Sequence, residues 1–209
     1  MSKKIHTIQS SDKKEFEDEI NLFIEYGSEL MEGSYEIIKN DKGVIYSQVV
    51  LYDPDCISIK MYENGQNENL TFRRFDDDGH YSEELHIFYY NNGKKRKKGN
   101  KQFYPYPKKF GFWTYWYDNG QKKKEGDYYW DDYKKGFWTY WYDNGQKKKE
   151  GEHYITGISP NYSIFKRGDW TYWYKNGQIK KEGSMSSVGK QGSWIYYNED
   201  GSIKEVEEY

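Results

Sequence analysis

Cysteine occurs once in the 209 residues, at Cys56, which excludes an intramolecular disulfide framework and a cysteine-built zinc cluster. Long apolar runs are missing, so no segment approaches the roughly 20 residues of a membrane-spanning helix. The opening MSKKIHTIQSSDKK has no apolar signal core, and the expected location is therefore the cytoplasm. Histidine is scarce, and His6, His80, His86 and His153 show no metal-ligand spacing. Asp76-Asp77-Asp78-Gly79 lacks the terminal glutamate of a calcium loop and reads as an acidic hairpin turn. There is no G-x-S-x-G, no glycine-rich phosphate loop and no cysteine–histidine signature. No catalytic residue, metal site or cofactor is assigned, and the chain is read as non-enzymatic.

Broadly hydrophobic residues make up only 35%, yet Phe, Trp and Tyr alone make up 20%, with 24 Tyr and 8 Trp. Aromatics must therefore carry most of the burial, filling a thin core while keeping polar edges at water. The net charge of −2 hides an asymmetry. Residues 1–84 hold 9 Lys/Arg against 19 Asp/Glu, and residues 85–209 hold 23 against 15. The acidic and basic halves are expected to face different neighbours.

One unit organises the chain. GFWTYWYDNGQKKKEG stands at Gly111–Gly126 and again at Gly136–Gly151; GDWTYWYKNGQIKKEG follows at Gly168–Gly183 and GSWIYYNEDGSIKEVE at Gly192–Glu207. Repetition this close means one supersecondary unit stacked several times. Within it Gly-x-Trp-Thr-Tyr-Trp-Tyr predicts a strand, Asp-Asn-Gly a tight turn and Gln-Lys-Lys-Lys-Glu-Gly the returning strand. Period-two alternation puts Trp113, Tyr115 and Tyr117 on one face and Phe112, Thr114 and Trp116 on the other. Stacking aligns Trp113, Trp138, Trp170 and Trp194 in one row and Tyr115, Tyr140, Tyr172 and Tyr196 in the next, forming the structural core of the repeats. Ile179 and Ile203 replace Lys122 and Lys147, so that position is expected to be half-buried, with lysine stems across the aromatic face.

Upstream, residues 11–32 predict a helix, with Asp12 and Glu15 as a capping box and Gly33 as a stop. Residues 1–34 are taken as a helical cap on the array. Residues 35–99 predict a degenerate hairpin meander, turning at 40–43, 63–65, 76–79 and 91–93, with a loop at Asp53-Pro54-Asp55. Pro105 and Pro107 mark 100–110 as a basic Pro/Tyr connection, since proline does not fit a central strand. An insertion at 153–167 changes the repeat spacing and is expected to be a loop on the binding side.

The unit resembles the variant MORN repeat of bacterial YwqK-family antitoxins, closely over 111–207 and weakly over 57–99. That resemblance implies tandem hairpins forming an elongated, curved antiparallel sheet; with the N-terminal helix read above, which departs from the simplest array, the expected fold is mainly all-β. It implies a non-catalytic antitoxin or immunity protein that binds a cognate toxin. Specific contacts are then expected where repetition fails: Lys94, Lys95, Arg96, Tyr104, Tyr106, Lys108 and Lys109 around the basic connection. Trp130 and Tyr133 between the first two copies, and Tyr162 and Phe165 in the insertion, complete the set. The other readings are a nucleic-acid or anionic-lipid scaffold through the basic half and a choline or carbohydrate binder through aromatic cages.

Overall fold

The computed structural model describes residues 4–10, 14, 17–21, 29–30, 36–40, 43–52, 57–63, 65–75, 81–102, 108–129, 132–158 and 161–209. Chain contacts divide it into two units, residues 1–60 with 70–84, and residues 61–69 with 85–209.

The first unit holds a four-stranded antiparallel sheet. Its strands are β1 (Lys4–Ser10), β2 (Glu29–Leu30), β3 (Glu36–Asn40) and β4 (Gly43–Tyr52), with β4 pairing all three others. The β3–β4 ladder runs to Asn40 opposite Gly43. The expected cap of residues 1–34 is not purely helical. Residues 14 and 17–21 are helical, but β1 precedes them and β2 takes Glu29–Leu30 out of the helix. The proposed cap residues Asp12 and Glu15 lie outside the described residues, as do Gly33 and Asp53-Pro54-Asp55. Within this unit Ile57, Leu70 and Phe72 are fully buried, and the buried Glu84 carboxylate accepts from Arg73 Nε at 3.0 Å.

The remaining strands are β5 (Ile57–Met61), β6 (Asn67–Phe75), β7 (Tyr81–Tyr89), β8 (Lys95–Gln102), β9 (Lys108–Trp116), β10 (Lys122–Tyr129), β11 (Tyr133–Trp141) and β12 (Lys147–Ile158). They continue through β13 (Asn161–Trp173), β14 (Ile179–Ser186), β15 (Gly189–Tyr197) and β16 (Ile203–Glu208). All twelve lie in one antiparallel sheet in strict sequence order, and the sheet does not close into a barrel. Every connection joins neighbours, as tandem hairpins require.

Each repeat turn is a three-residue loop. Gly120 N–H donates to Tyr117 O at 3.0 Å, and Tyr117 N–H donates to Gln121 O at 2.8 Å. Gly120 takes φ +90, the left-handed residue that follows a type I turn in such loops. Of the Asn-Gly pair only the glycine adopts it, because Asn119 has another task. Its side-chain oxygen accepts from Gln121 N–H at 3.0 Å, and its amide donates to Asp143 O in the next turn. Asn92, Asn144 and Asn176 repeat the second bond onto Asp118, Lys175 and Glu199. The tyrosine before each turn does the same two residues earlier: Tyr90, Tyr117, Tyr142 and Tyr174 hydroxyls donate to the carbonyls of Trp116, Trp141, Trp173 and Tyr197. Each unit thus clamps the next one at its turn.

Three expected boundaries shift. The connection expected over 100–110 is shorter, since β8 runs to Gln102 and β9 opens at Lys108; β8 is the returning strand of a further unit, Glu84–Gly99, in which His86 and Phe88 stand where Trp113 and Tyr115 stand later. The β8–β9 ladder closes at Gln102 and Lys108, and Pro105 and Pro107 lie outside the described residues. The insertion at 153–167 is likewise not a loop. It lengthens β12 and β13 into a ribbon paired out to Ile158 and Asn161. Finally, Lys122, Lys147 and Ile203 are exposed and only Ile179 is half-buried, so this is not the position that roofs the core.

Candidate binding site: a lysine and aromatic face

The roof is built by other lysines, and strand register shows how. Trp113 lies opposite Gly126, Trp138 and Trp170 both lie opposite Gly151, and Trp170 also lies opposite Gly183. The glycine that closes each unit is the seat of the next tryptophan. A Cβ on Gly99, Gly126, Gly151 or Gly183 would stand 2.3–2.6 Å from the indole of Trp113, Trp138, Trp170 or Trp194. The indole N–H then donates to the carbonyl one residue past each glycine: Asn100, Asp127, Glu152 and Ser184. All four tryptophans are 0% exposed. Burial this complete removes on the order of 150–250 Å² of ring per unit from water. These four tryptophans stand in one row, and they supply the core of the repeats.

Between successive indoles stand Tyr128 and His153. Tyr128 packs edge-on to Trp113 and Trp138, with centroids 6.4 and 5.0 Å away. His153 does the same between Trp138 and Trp170, at 6.4 and 5.2 Å. Its Nε2 is buried without a hydrogen-bond partner. Burial first, and then Lys134, Lys166 and Lys149, push its pKa down to about 4.

A second ladder runs beside the first. Opposite one another across successive strands stand Lys97, Tyr115, Lys124, Tyr140, Lys149, Tyr172, Lys181 and Tyr196. Each ammonium sits on a ring: Lys97 on Phe88 at 4.1 Å, Lys124 on Tyr115 at 4.3 Å, Lys149 on Tyr140 at 4.5 Å, Lys181 on Tyr172 at 4.8 Å. Lys109, Lys134, Lys166 and Lys190, two residues before each unit's first glycine, reach in from the other side. Lys134 Nζ lies 4.7 Å from the Trp138 centroid and 4.9 Å from that of Tyr140, and Lys166 Nζ lies 4.4 Å from Trp170. The two rows converge over the same rings, so the tryptophans are covered by lysine stems and flanking rings.

This arrangement leaves like charges crowded together. Among the described residues only the ends of the band carry ion pairs, Lys109 with Asp132 at 3.4 Å and Lys190 with Glu207 at 3.2 Å. Between them, burial pushes the pKa values of Lys124, Lys149, Lys166 and Lys181 down, and neighbouring lysines add to it at Lys124, Lys149 and Lys181. Lys134 is pushed down to about 8, by burial and then by Lys124, Lys149, Lys109 and Lys166. At the Glu207 end the sign reverses, and hydrogen bonds to Tyr196 and Tyr209 raise the pKa of Lys190.

The opposite face differs in character. Thr114, Glu125, Thr139, Glu150, Thr171 and Glu182 form its central ladder, with Lys122 paired to Glu125 and Lys147 to Glu150, both at 2.8 Å. Register places Phe112, Asp127 and Lys135 in line there, and Phe110 and Phe137 share the face by alternation. These phenylalanines are open to solvent, 42% at Phe110, 55% at Phe112 and 56% at Phe137.

The residues singled out from sequence are mostly engaged. Lys94 Nζ donates to Asn119 O at 2.8 Å, and Arg96 stands over Phe88 at 5.8 Å. Lys95 lies in β8, beside Arg96, and Lys108 opens β9 opposite Gln102. Lys109 lies 4.8 Å from the Tyr128 ring, and its backbone N–H donates to Asp132 at 2.8 Å. Tyr133 and Tyr162 do come together, with centroids 5.6 Å apart and Tyr129 6.1 Å from Tyr162, where the ribbon meets the β10–β11 end. Phe165 packs on Tyr154 at 5.4 Å, and Arg167 lies over the same ring. Tyr104, Tyr106 and Trp130 lie outside the described residues. The band of Lys97, Lys124, Lys134, Lys149, Lys166 and Lys181 was not singled out, although aligning the units on their glycines puts a lysine at those two offsets each time.

Comparison with known proteins agrees with the repeat. The family model for a MORN repeat variant matches residues 166–186, the end of the ribbon and the third copy, which supports reading the chain as a MORN-repeat protein. No curated protein matches. Among solved structures, one of a protein with unknown function from Bacteroides fragilis shares 8% identity, covering 73% of this chain and 90% of that one. Its TM-score is 0.17.

Proposed function

We propose that this is a non-catalytic protein-binding module, acting as an antitoxin or immunity protein that occludes a cognate bacterial toxin in the cytoplasm. The observation that carries protein binding is the exposure of Phe110, Phe112 and Phe137 on one face of the sheet. Grouped aromatics on a surface mark contact sites rather than solubility, and the turn-to-turn bonds hold this surface pre-ordered, which lowers the entropy lost on binding. The toxin as partner rests on the repeat's resemblance alone. A choline cage is disfavoured, because Trp138 and Trp170 are fully buried and already carry Lys134 and Lys166.

Co-expression with the product of the adjacent reading frame tests the proposal. One-step co-purification, lost in Phe112→Ser/Phe137→Ser with folding intact, supports it. Failure of the pair to associate at micromolar concentration removes the immunity reading.

A further inference from the structure

The lysine band presents charge that the protein itself does not neutralise. Lys124, Lys134, Lys149 and Lys166 converge around Trp138, Tyr140, Trp170 and His153, with no carboxylate in ion-pair range among the described residues. Charges held this way are unfavourable in the free protein, and an anion laid over them would relieve that. Equivalent lysines recur every second strand, about 9.6 Å apart, so the complementary object is extended and multiply charged. Nucleic acid fits this band poorly. A single-strand platform needs open ring faces for base stacking, and here the indoles are fully buried beneath the lysines. The band contains lysine only, without the arginine forks that grip phosphate in pairs.

We propose that this band docks an extended acidic segment of a protein partner, its carboxylates taking the place of the missing counter-ions. The proposal rests on the protein-binding reading and adds the chemistry of the partner and the face it meets. It also gives the two faces separate tasks, apolar contact at the phenylalanines and charge recognition at the lysines.

The probe is a fluorescein-labelled peptide of consecutive glutamates, compared with oligothymidylate of equal charge and with phosphatidylserine vesicles at about 50 mM salt. Lys149→Met/Lys166→Met removes two charges from the band and keeps the stems. Lys123→Met/Lys148→Met removes the same net charge from lysines that lie over Tyr117 and Tyr142 instead. Folding of every variant is checked by its thermal transition. Peptide binding should weaken about tenfold in the first pair and less than about twofold in the second. Equal weakening in both, no peptide binding, or tighter binding of oligothymidylate or vesicles would each overturn the assignment. A partner complex that survives Lys149→Met/Lys166→Met but not Phe112→Ser/Phe137→Ser overturns it too, leaving the protein-binding reading intact. Band-dependent peptide binding with no co-purifying partner supports the band and removes the immunity reading.

Discussion

Gly126 lies directly beneath the indole of Trp138, so that a Cβ on the glycine would stand 2.5 Å from the ring. This contact defines the repeat: the last residue of one unit is a socket, and the third residue of the next is what fills it. Gly126→Ala should therefore destabilise the protein by about 1–3 kcal/mol through overpacking. Trp138→Ala, which empties the socket, should cost about 3–5 kcal/mol. Urea denaturation followed by circular dichroism measures both, and equal stability of Gly126→Ala and the parent would contradict the socket.

His153 gives the stack a pH dependence with a defined sign. Its folded pKa of about 4 lies below the ordinary 6.5, so the unfolded chain binds more protons between those values. Stability should accordingly fall as pH drops from 6.5 toward 4, while remaining level in this contribution above 6.5. The groups facing the ring are Trp138 and Trp170 with Lys134, Lys149 and Lys166 nearby; all are cationic or neutral. His153→Tyr, which installs the residue found at Tyr128, should flatten the thermal midpoint against pH in that window relative to the parent. A parallel decline in both proteins would count against a buried neutral histidine.

The fourth copy changes the residues that propagate the array. Where earlier units have Lys124 and Gly126, the last has Glu205 and Glu207. Glu207 fills the socket position and accepts from Lys190 at 3.2 Å, from Tyr196 at 2.7 Å and from Tyr209. Those bonds hold its pKa down to about 2, so their contribution is present above the ordinary 4.5 and is lost as pH falls toward 2. An edge strand closed by charge also resists adding further strands. Glu207→Gly should speed hydrogen exchange in β15 and β16 and leave β9 to β12 unchanged, because repeat arrays couple mainly to nearest neighbours.

Much of this was legible in the residues. The hairpins, the order of strands and the tryptophan row follow from the spacing of Trp113, Trp138, Trp170 and Trp194 and from the Asn-Gly turns. The role of lysine was harder to read, because three consecutive lysines such as Lys122, Lys123 and Lys124 look alike in sequence. A register shift between Lys122 and Lys124 in the hairpin decides which one crosses the core, and it chooses Lys124. The Ile179 and Ile203 substitutions pointed to the wrong member of the triplet. The unit at Glu84–Gly99 reads only as a weak copy because His86 and Phe88 replace its Trp and Tyr, and the ribbon reads as a loop because the insertion at 153–167 interrupts the repeat spacing.

Lysines roof the tryptophan stack and hold unneutralised charge there. The most direct measurement is the pKa of the Lys134 side chain, followed by NMR of the labelled ε-carbon, with Lys134→Met identifying the signal. Such a roof predicts a titration near 8, moving upward when an acidic peptide is bound. A midpoint at the ordinary 10.5 in the free protein would mean that the ammonium is fully solvated, and would contradict it.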